Sequence, residues 1–216
     1  DEILSFYGER PVQWLLNNME LDENWCLIHC TQMSKKETLD LASCGAVIGL
    51  CPITEANLGD GIFNGEHYFH SEGKFGVGTD SNINIDLREE IKMLEYSQRL
   101  ALKQRVIYAS NKKSNGRMLF DSILNGGSKA SGRNSGKIEK GFCADLMSLD
   151  MKNIDLYGSE GDTCLDKWIF CSQEKLISNL WSGGRHVVID GRHIFEEKIK
   201  EQYKKTIIRL KNKVNF

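Results

Sequence analysis

Apolar and polar positions fall along this chain in blocks whose period changes several times. "PVQWLLNNM" (11–19) sets Trp14 and Leu15 on the buried side of a helix opened by Pro11. "WCLIHC" (25–30) is an apolar run of strand length. "SKKETLDLASCG" follows as a helix with a capping box, Ser34 standing three residues before Glu37, and Gly45 supplies its stop. "AVIGL" (46–50) predicts a second strand and "KFGVGT" (74–79) a third. Between them lies a polar loop, running to about residue 72. Asp86 and Glu89 open a long helix whose Leu87, Ile91 and Leu94 repeat at helical spacing. "GRMLFDSILNGGSKAS" is a further helix through Met118, Ile123 and Leu124. Strands that alternate with helices predict an α/β fold built on a parallel sheet or barrel.

After residue 135 the texture changes. "GKIEKGFCADLMSLD" and "LISNLWSGGRHVVIDGRHIF" are short strands punctuated by Gly turns, which predicts a small β unit. A final amphipathic helix carries Ile199, Tyr203, Ile207 and Leu210 on one face. No internal repeat or low-complexity tract is present.

Composition narrows the classes. At 216 residues the chain is one large domain or part of something bigger. Lys+Arg 28 against Asp+Glu 30 leaves a net charge of −2, which argues against a nucleic-acid surface. No apolar run approaches the ~20 residues that span a bilayer. The seven cysteines are odd in number and include no Cys-x-x-Cys pair, so reduced core thiols in a cytoplasmic protein are expected. There is no signal peptide, and a first residue of Asp rather than Met reads as a start inside a longer protein.

Two residues stand where chemistry is done in parallel α/β folds. His29 closes "WCLIH" and Asp80 closes "FGVGTD", each at a strand's C-terminal end. His29 suits proton transfer or metal work, and equally a hydrogen-bonded structural histidine. Asp80 suits a metal ligand or proton acceptor, and equally a turn aspartate bonding the amides of "DSN". Taken together, they would point into one pocket. Glu55, Asn57 and Asp60 in "TEANLGDG" would line a substrate pocket or merely hold a turn-rich loop. His67 and His70 are spaced for an i, i+3 metal pair, though surface placement explains them as well, and His186 and His193 carry no assigned chemistry. "SGRNSGK" fails as a phosphate loop: three residues, not four, separate its glycines, and Ile138 follows Lys137.

"WCLIHCTQM", "GAVIGLCPITEANLGDGIFNG" and "FGVGTDSNINIDLREEIKMLEYSQRL" together resemble the amidohydrolase superfamily, and within it the formimidoylglutamate deiminases of histidine degradation. The resemblance covers nearly the whole chain. It implies the C-terminal portion of a (β/α)₈ TIM-like barrel, strands six to eight, over residues 1–134. Part of a composite β-sandwich would follow over 135–194, and a C-terminal helix over 195–216. It also implies one divalent metal, typically Zn2+, which acidifies a water. In the family that metal is held by a His-x-His pair from strand one, a strand-five histidine and the strand-eight aspartate. His29 would be the sixth-strand acid/base, Asp80 the metal ligand and proton acceptor, and Glu55 and Asn57 would contact substrate.

One departure stands out: no His-x-His occurs, and the fifth-strand histidine and the glutamate that normally follows it are missing too. Glu55-Ala56, where the wider superfamily more often has Ser-Asn, is a feature of the deiminase branch. The implied reaction hydrolyses N-formimidoyl-L-glutamate to N-formyl-L-glutamate and ammonia, with this chain a fragment inactive by itself. Deamination of a nucleobase ring, or a non-catalytic binding or assembly role, are the alternatives. The expected partner is a small-molecule substrate, with no nucleic acid, no membrane and a possible homodimer.

Overall fold

The computed structural model describes residues 2–82, 84–172 and 175–213. Two short helices, α1 (Glu2–Tyr7) and α2 (Pro11–Asn18), lead into strand β1 (Cys26–Ile28). The chain then runs α3 (Lys35–Cys44), β2 (Val47–Leu50), α4 (Pro52–Leu58), α5 (Gly65–His70) and β3 (Lys74–Val77). The three strands form a parallel sheet in the order β1-β2-β3, with Ile48 opposite both Leu27 and Phe75. The middle strand is buried on both faces, as its unbroken apolar run requires of a covered parallel sheet.

Local signals explain the elements. Both halves of the capping box form: Ser34 Oγ accepts from the Glu37 amide at 3.3 Å, and Glu37 Oε2 accepts from the Ser34 amide at 2.6 Å. Gly45 ends α3 in the left-handed region at φ 87°. The segment between β2 and β3 is not the loop its polar letters predict. Pro52 starts α4, Gly59 closes it at φ 71°, and α5 follows. A buried face made of Pro52, Thr54, Glu55, Gly65 and Tyr68 overrides a composition that favours turns. The Tyr68 hydroxyl lies 3.1 Å from the Ala46 carbonyl and 3.2 Å from that of Lys74, tying the start of β2 to the start of β3.

Two long helices cover the sheet: α6 (Leu87–Leu102) and α7 (Asn115–Ala130). The face predicted for α6 is the buried one at Ile91 and Leu94, while Leu87 at its first turn is exposed. Helix α7 presses on β3 through Gly126, where a β-carbon would stand 1.9 Å from the Phe75 carbonyl oxygen. The core collects Leu41, Ile48, Leu50, Tyr68, Phe75, Ile91, Leu119 and Ile123 around the strands.

The second unit holds β4 (Leu146–Leu149), α8 (Asp162–Asp166) with a π-helical turn after it, then β5 (Ile177–Ser182), β6 (Arg185–Ile189) and β7 (Arg192–His193). Its four strands are antiparallel in the order β4-β5-β6-β7. Gly183-Gly184 and Asp190-Gly191 make the two hairpin turns with all four residues at positive φ, the geometry such two-residue turns need. Helix α9 (Glu196–Lys211) buries none of its residues: the stripe predicted to pack leaves Tyr203 66% exposed. Among the described residues no helix is long and apolar enough to cross a membrane.

Candidate active site

The parallel sheet sends His29 and Asp80 to the same edge, one after β1 and the other after β3, with β2 between them. The backbone turns sharply at both. His29 (φ 69°), Cys30 (φ 50°) and Asp80 (φ 50°) are three of the six described non-glycine residues at positive φ. Each such residue costs on the order of 1–3 kcal/mol, and strain of this kind collects at functional edges. The His29 amide donates to the Gly49 carbonyl at 2.8 Å and the Gly78 amide to that of Leu50 at 2.9 Å, so both exits stay stitched to β2.

Helix α4 begins where β2 ends and brings Glu55 to His29. Glu55 Oε1 accepts the Cys51 amide at 2.8 Å and lies 3.2 Å from His29 Nδ1. The Glu55 side chain is buried while the His29 ring is about a third exposed (6% and 36%). Burial raises the Glu55 carboxyl above its ordinary range, with the Cys51 and His29 bonds working the other way. Asp80 is exposed, and its carboxylate makes no hydrogen bond or ion pair with a described residue. It therefore has the open lone pairs of a ligand or base.

A second carboxylate, not singled out from the sequence, braces this edge. Glu90 on α6 is fully buried, accepting the Ile53 amide at 2.9 Å through Oε2 and Asn82 Nδ2 at 3.2 Å through Oε1. Asn82 also donates to the Thr79 carbonyl at 2.8 Å, and Thr54 Oγ1 reaches that same carbonyl at 3.2 Å. The start of α4 and the segment leading through Asp80 are thus held by one side chain. A glutamate on the apolar face of an amphipathic helix, three positions beyond Leu87, was the available signal.

The remaining candidates separate. Asn57 sits on α4 but is exposed and about 200° round the helix from Glu55, so it is not gathered with His29. Asp60 offers Gln32 its backbone carbonyl. His67 and His70 lie on α5, with His67 Nδ1 3.4 Å from Glu66. All seven cysteines are free thiols. Burial pushes Cys30 up to about 12 and Cys51 to about 11, the latter helped by Glu55, Asp80 and Glu90, so neither is a thiolate at neutral pH.

For a metal, the donors present go part of the way. Asp80 offers hard oxygen, yet no group of three or more His, Cys, Asp or Glu among the described residues is placed to hold an ion. A catalytic zinc takes three protein ligands, so these residues fit as one contributor to a shell.

The chain is similar in sequence and fold to several known proteins. The chain is 40% identical over 199 residues to formimidoylglutamate deiminase from Pseudomonas aeruginosa, covering 92% of this chain and 44% of that protein. It is 28% identical to 5-methylthioadenosine/S-adenosylhomocysteine deaminase from Pyrococcus furiosus, over 96% of this chain and 49% of the other. The crystal structure of an amidohydrolase from Brucella melitensis superposes with a TM-score of 0.90 at 42% identity, covering 96% of this chain and 46% of that one. A zinc-bound adenosine deaminase from Xanthomonas campestris shares the fold at a TM-score of 0.80 and 18% identity, over 96% and 48% of the two chains. The chain therefore spans less than half the length of these relatives. The family model for amidohydrolases matches residues 2–192, which takes in both strand exits and both sheets, and the chain belongs to the amidohydrolase family.

Proposed function

We propose that this chain is the part of a metal-dependent deiminase that converts N-formimidoyl-L-glutamate and water to N-formyl-L-glutamate and ammonia. The observation that carries the reading is the arrival of an imidazole and an unpartnered carboxylate at one edge of a parallel sheet. The 40% identity to a formimidoylglutamate deiminase supports the choice of substrate. On this reading β1, β2 and β3 are strands six to eight of a (β/α)₈ barrel within residues 1–134. The antiparallel unit of 135–194 is part of a β-sandwich, and 195–216 is a terminal helix. The homodimer implied by the family resemblance, and the cytoplasmic location read from the unpaired cysteines, belong to the same proposal.

A divalent metal, zinc in the adenosine deaminase neighbour, supplies Lewis acidity when bound, and Asp80 would be this chain's ligand to it. The proton traffic falls to the protein. Oxygen from water forms a bond to the amidine carbon and the bond to the terminal nitrogen breaks. That =NH nitrogen must gain both water protons to leave as ammonia. Asp80 accepts one water proton and the neutral His29 ring takes up the other, and both are passed to the departing nitrogen, which leaves the two groups as they began. Glu55 on α4 forms the wall beside them, while Asn57 would meet substrate only from the exposed side of that helix, apart from His29.

Ammonia release by the longer protein containing this chain tests the reading, with formimidoylglutamate, guanine, cytosine and 5-methylthioadenosine as substrates. Turnover of formimidoylglutamate, lost in His29→Asn and Asp80→Asn, is expected. Turnover of a ring substrate alone would transfer the site to the second reading, which the 28% identity to a methylthioadenosine deaminase favours.

A further inference from the structure

Resting on the reading of His29 as the proton carrier, we propose that Glu55 is its positioning residue, fixing the neutral ring with hydrogen on Nδ1 and a bare lone pair on Nε2. The bond pattern around one oxygen carries this. Glu55 Oε1 receives the Cys51 backbone amide at 2.8 Å, and a backbone N–H can only donate, so that oxygen acts as an acceptor. His29 Nδ1 lies 3.2 Å from the same atom, so the hydrogen between them comes from the ring. A neutral imidazole carries one N–H, and Nε2 is left to accept. An unrestrained histidine in water favours the opposite form.

The arrangement is rigid on both sides. His29 is anchored through its left-handed backbone and the hydrogen bond its amide donates to the Gly49 carbonyl. Glu55 cannot follow a drifting ring, because α4 is fastened by Ile53 to Glu90 and by Thr54 to the Thr79 carbonyl. A carboxylate already shared between an amide and an imidazole has its geometry set before any substrate arrives. The ring nitrogen that works at the site is then the one facing away from Glu55, and the proton it takes up is the one it later delivers.

Long-range 1H–15N spectra of 15N-labelled protein at about pH 8.5, above the ordinary imidazole range, read the tautomer directly. His29→Asn assigns the ring. The expected wild-type pattern is a protonated Nδ1 and an unprotonated Nε2 at His29. Glu55→Ala should shift that ring toward the Nε2–H form. Glu55→Gln, whose carbonyl can still accept both donors, should keep Nδ1–H. The His186 ring, whose Nε2 lies 2.9 Å from Asn179 Oδ1, should be unchanged in both variants and so reports that the fold survives. In protein active on formimidoylglutamate, Glu55→Ala should lower kcat about 10²-fold with little change in KM. An Nε2–H ring in the wild type, or a tautomer indifferent to Glu55→Ala in a folded variant, overturns the proposal. If the tautomer behaves as stated while formimidoylglutamate is not turned over, the positioning role stands and the deiminase reading falls.

Discussion

Adjacent glycines in α7 should respond to the same substitution with opposite signs. Gly→Ala inside a helix gains about 1 kcal/mol from backbone entropy when nothing obstructs the methyl. At Gly127 nothing lies within 4 Å of the new carbon, so Gly127→Ala should realise most of that gain. At Gly126 the methyl would stand 1.9 Å from the Phe75 carbonyl oxygen and 2.3 Å from its carbon. An ordinary contact needs roughly 3.4 Å, so helix and strand must part by more than an ångström, and β3 cannot yield without breaking its ladder to β2. Overpacking of this kind costs about 1–3 kcal/mol and sometimes more, and here it opposes rigid backbone rather than a movable side chain. The net for Gly126→Ala is a loss on the order of 2 kcal/mol. In a chain of this size 1 kcal/mol moves Tm by roughly 2–4 °C. Thermal unfolding followed by circular dichroism should thus show Gly126→Ala lower by about 4–8 °C and Gly127→Ala higher by about 2–3 °C. If both variants move together, or Gly126→Ala melts at or above wild type, the close approach of α7 to β3 is wrong.

Glu37 is 2% exposed, with Arg10 Nε at 2.9 Å. Burial opposes its charge, but the bonds from Ser34 and Arg10 outweigh it and hold the carboxyl below its usual 4.5. The folded value lies under the unfolded one, so its stabilisation is full above about pH 4.5 and lost as pH falls through the folded value. Glu37→Gln should flatten the acid limb of the urea midpoint against pH; an unaltered limb refutes the assignment. Disulfide-exchange labelling at pH 8 should mark exposed Cys171 at once and reach buried Cys51 only on unfolding, its thiol being pushed to about 11. Rapid labelling of Cys51 in native protein would contradict its burial. The 216-residue chain alone, dialysed against buffer, should hold well under one zinc by mass spectrometry, since Asp80 is a lone donor; stoichiometric tight metal would show a ligand set not gathered here.

What could be seen in the sequence was local. Ser34, Glu37 and Gly45 announce α3 because a cap and its stop lie within one helix length. The strands appear as apolar runs, and His29 and Asp80 are found by standing just past two of them. Helix α4 was hidden because Thr, Glu, Asn and Gly favour turns, and what makes it a helix is burial against residues far along the chain. Glu55 was visible as a candidate, but its pairing with His29, 26 positions away, was not, and Glu90 showed only as a glutamate on the apolar face of α6, with no sign of its partner Ile53, 37 positions away. Helix α9 shows the converse: an amphipathic stripe records a face able to pack, and the described residues bury none of it.

In both sheets the order of strands in space is the order in which they are synthesised. No strand has to slip between two already paired, so each one emerging from the ribosome can add to a finished border and then become the border itself. Assembly in that manner is progressive, one closure at a time, although Cys26 to Val47, Val47 to Lys74 and Leu146 to Trp181 are each long-span closures, the kind that slow parallel and β-rich chains. In the folded chain β2 is the strand on which β3, and with it Asp80, comes to rest.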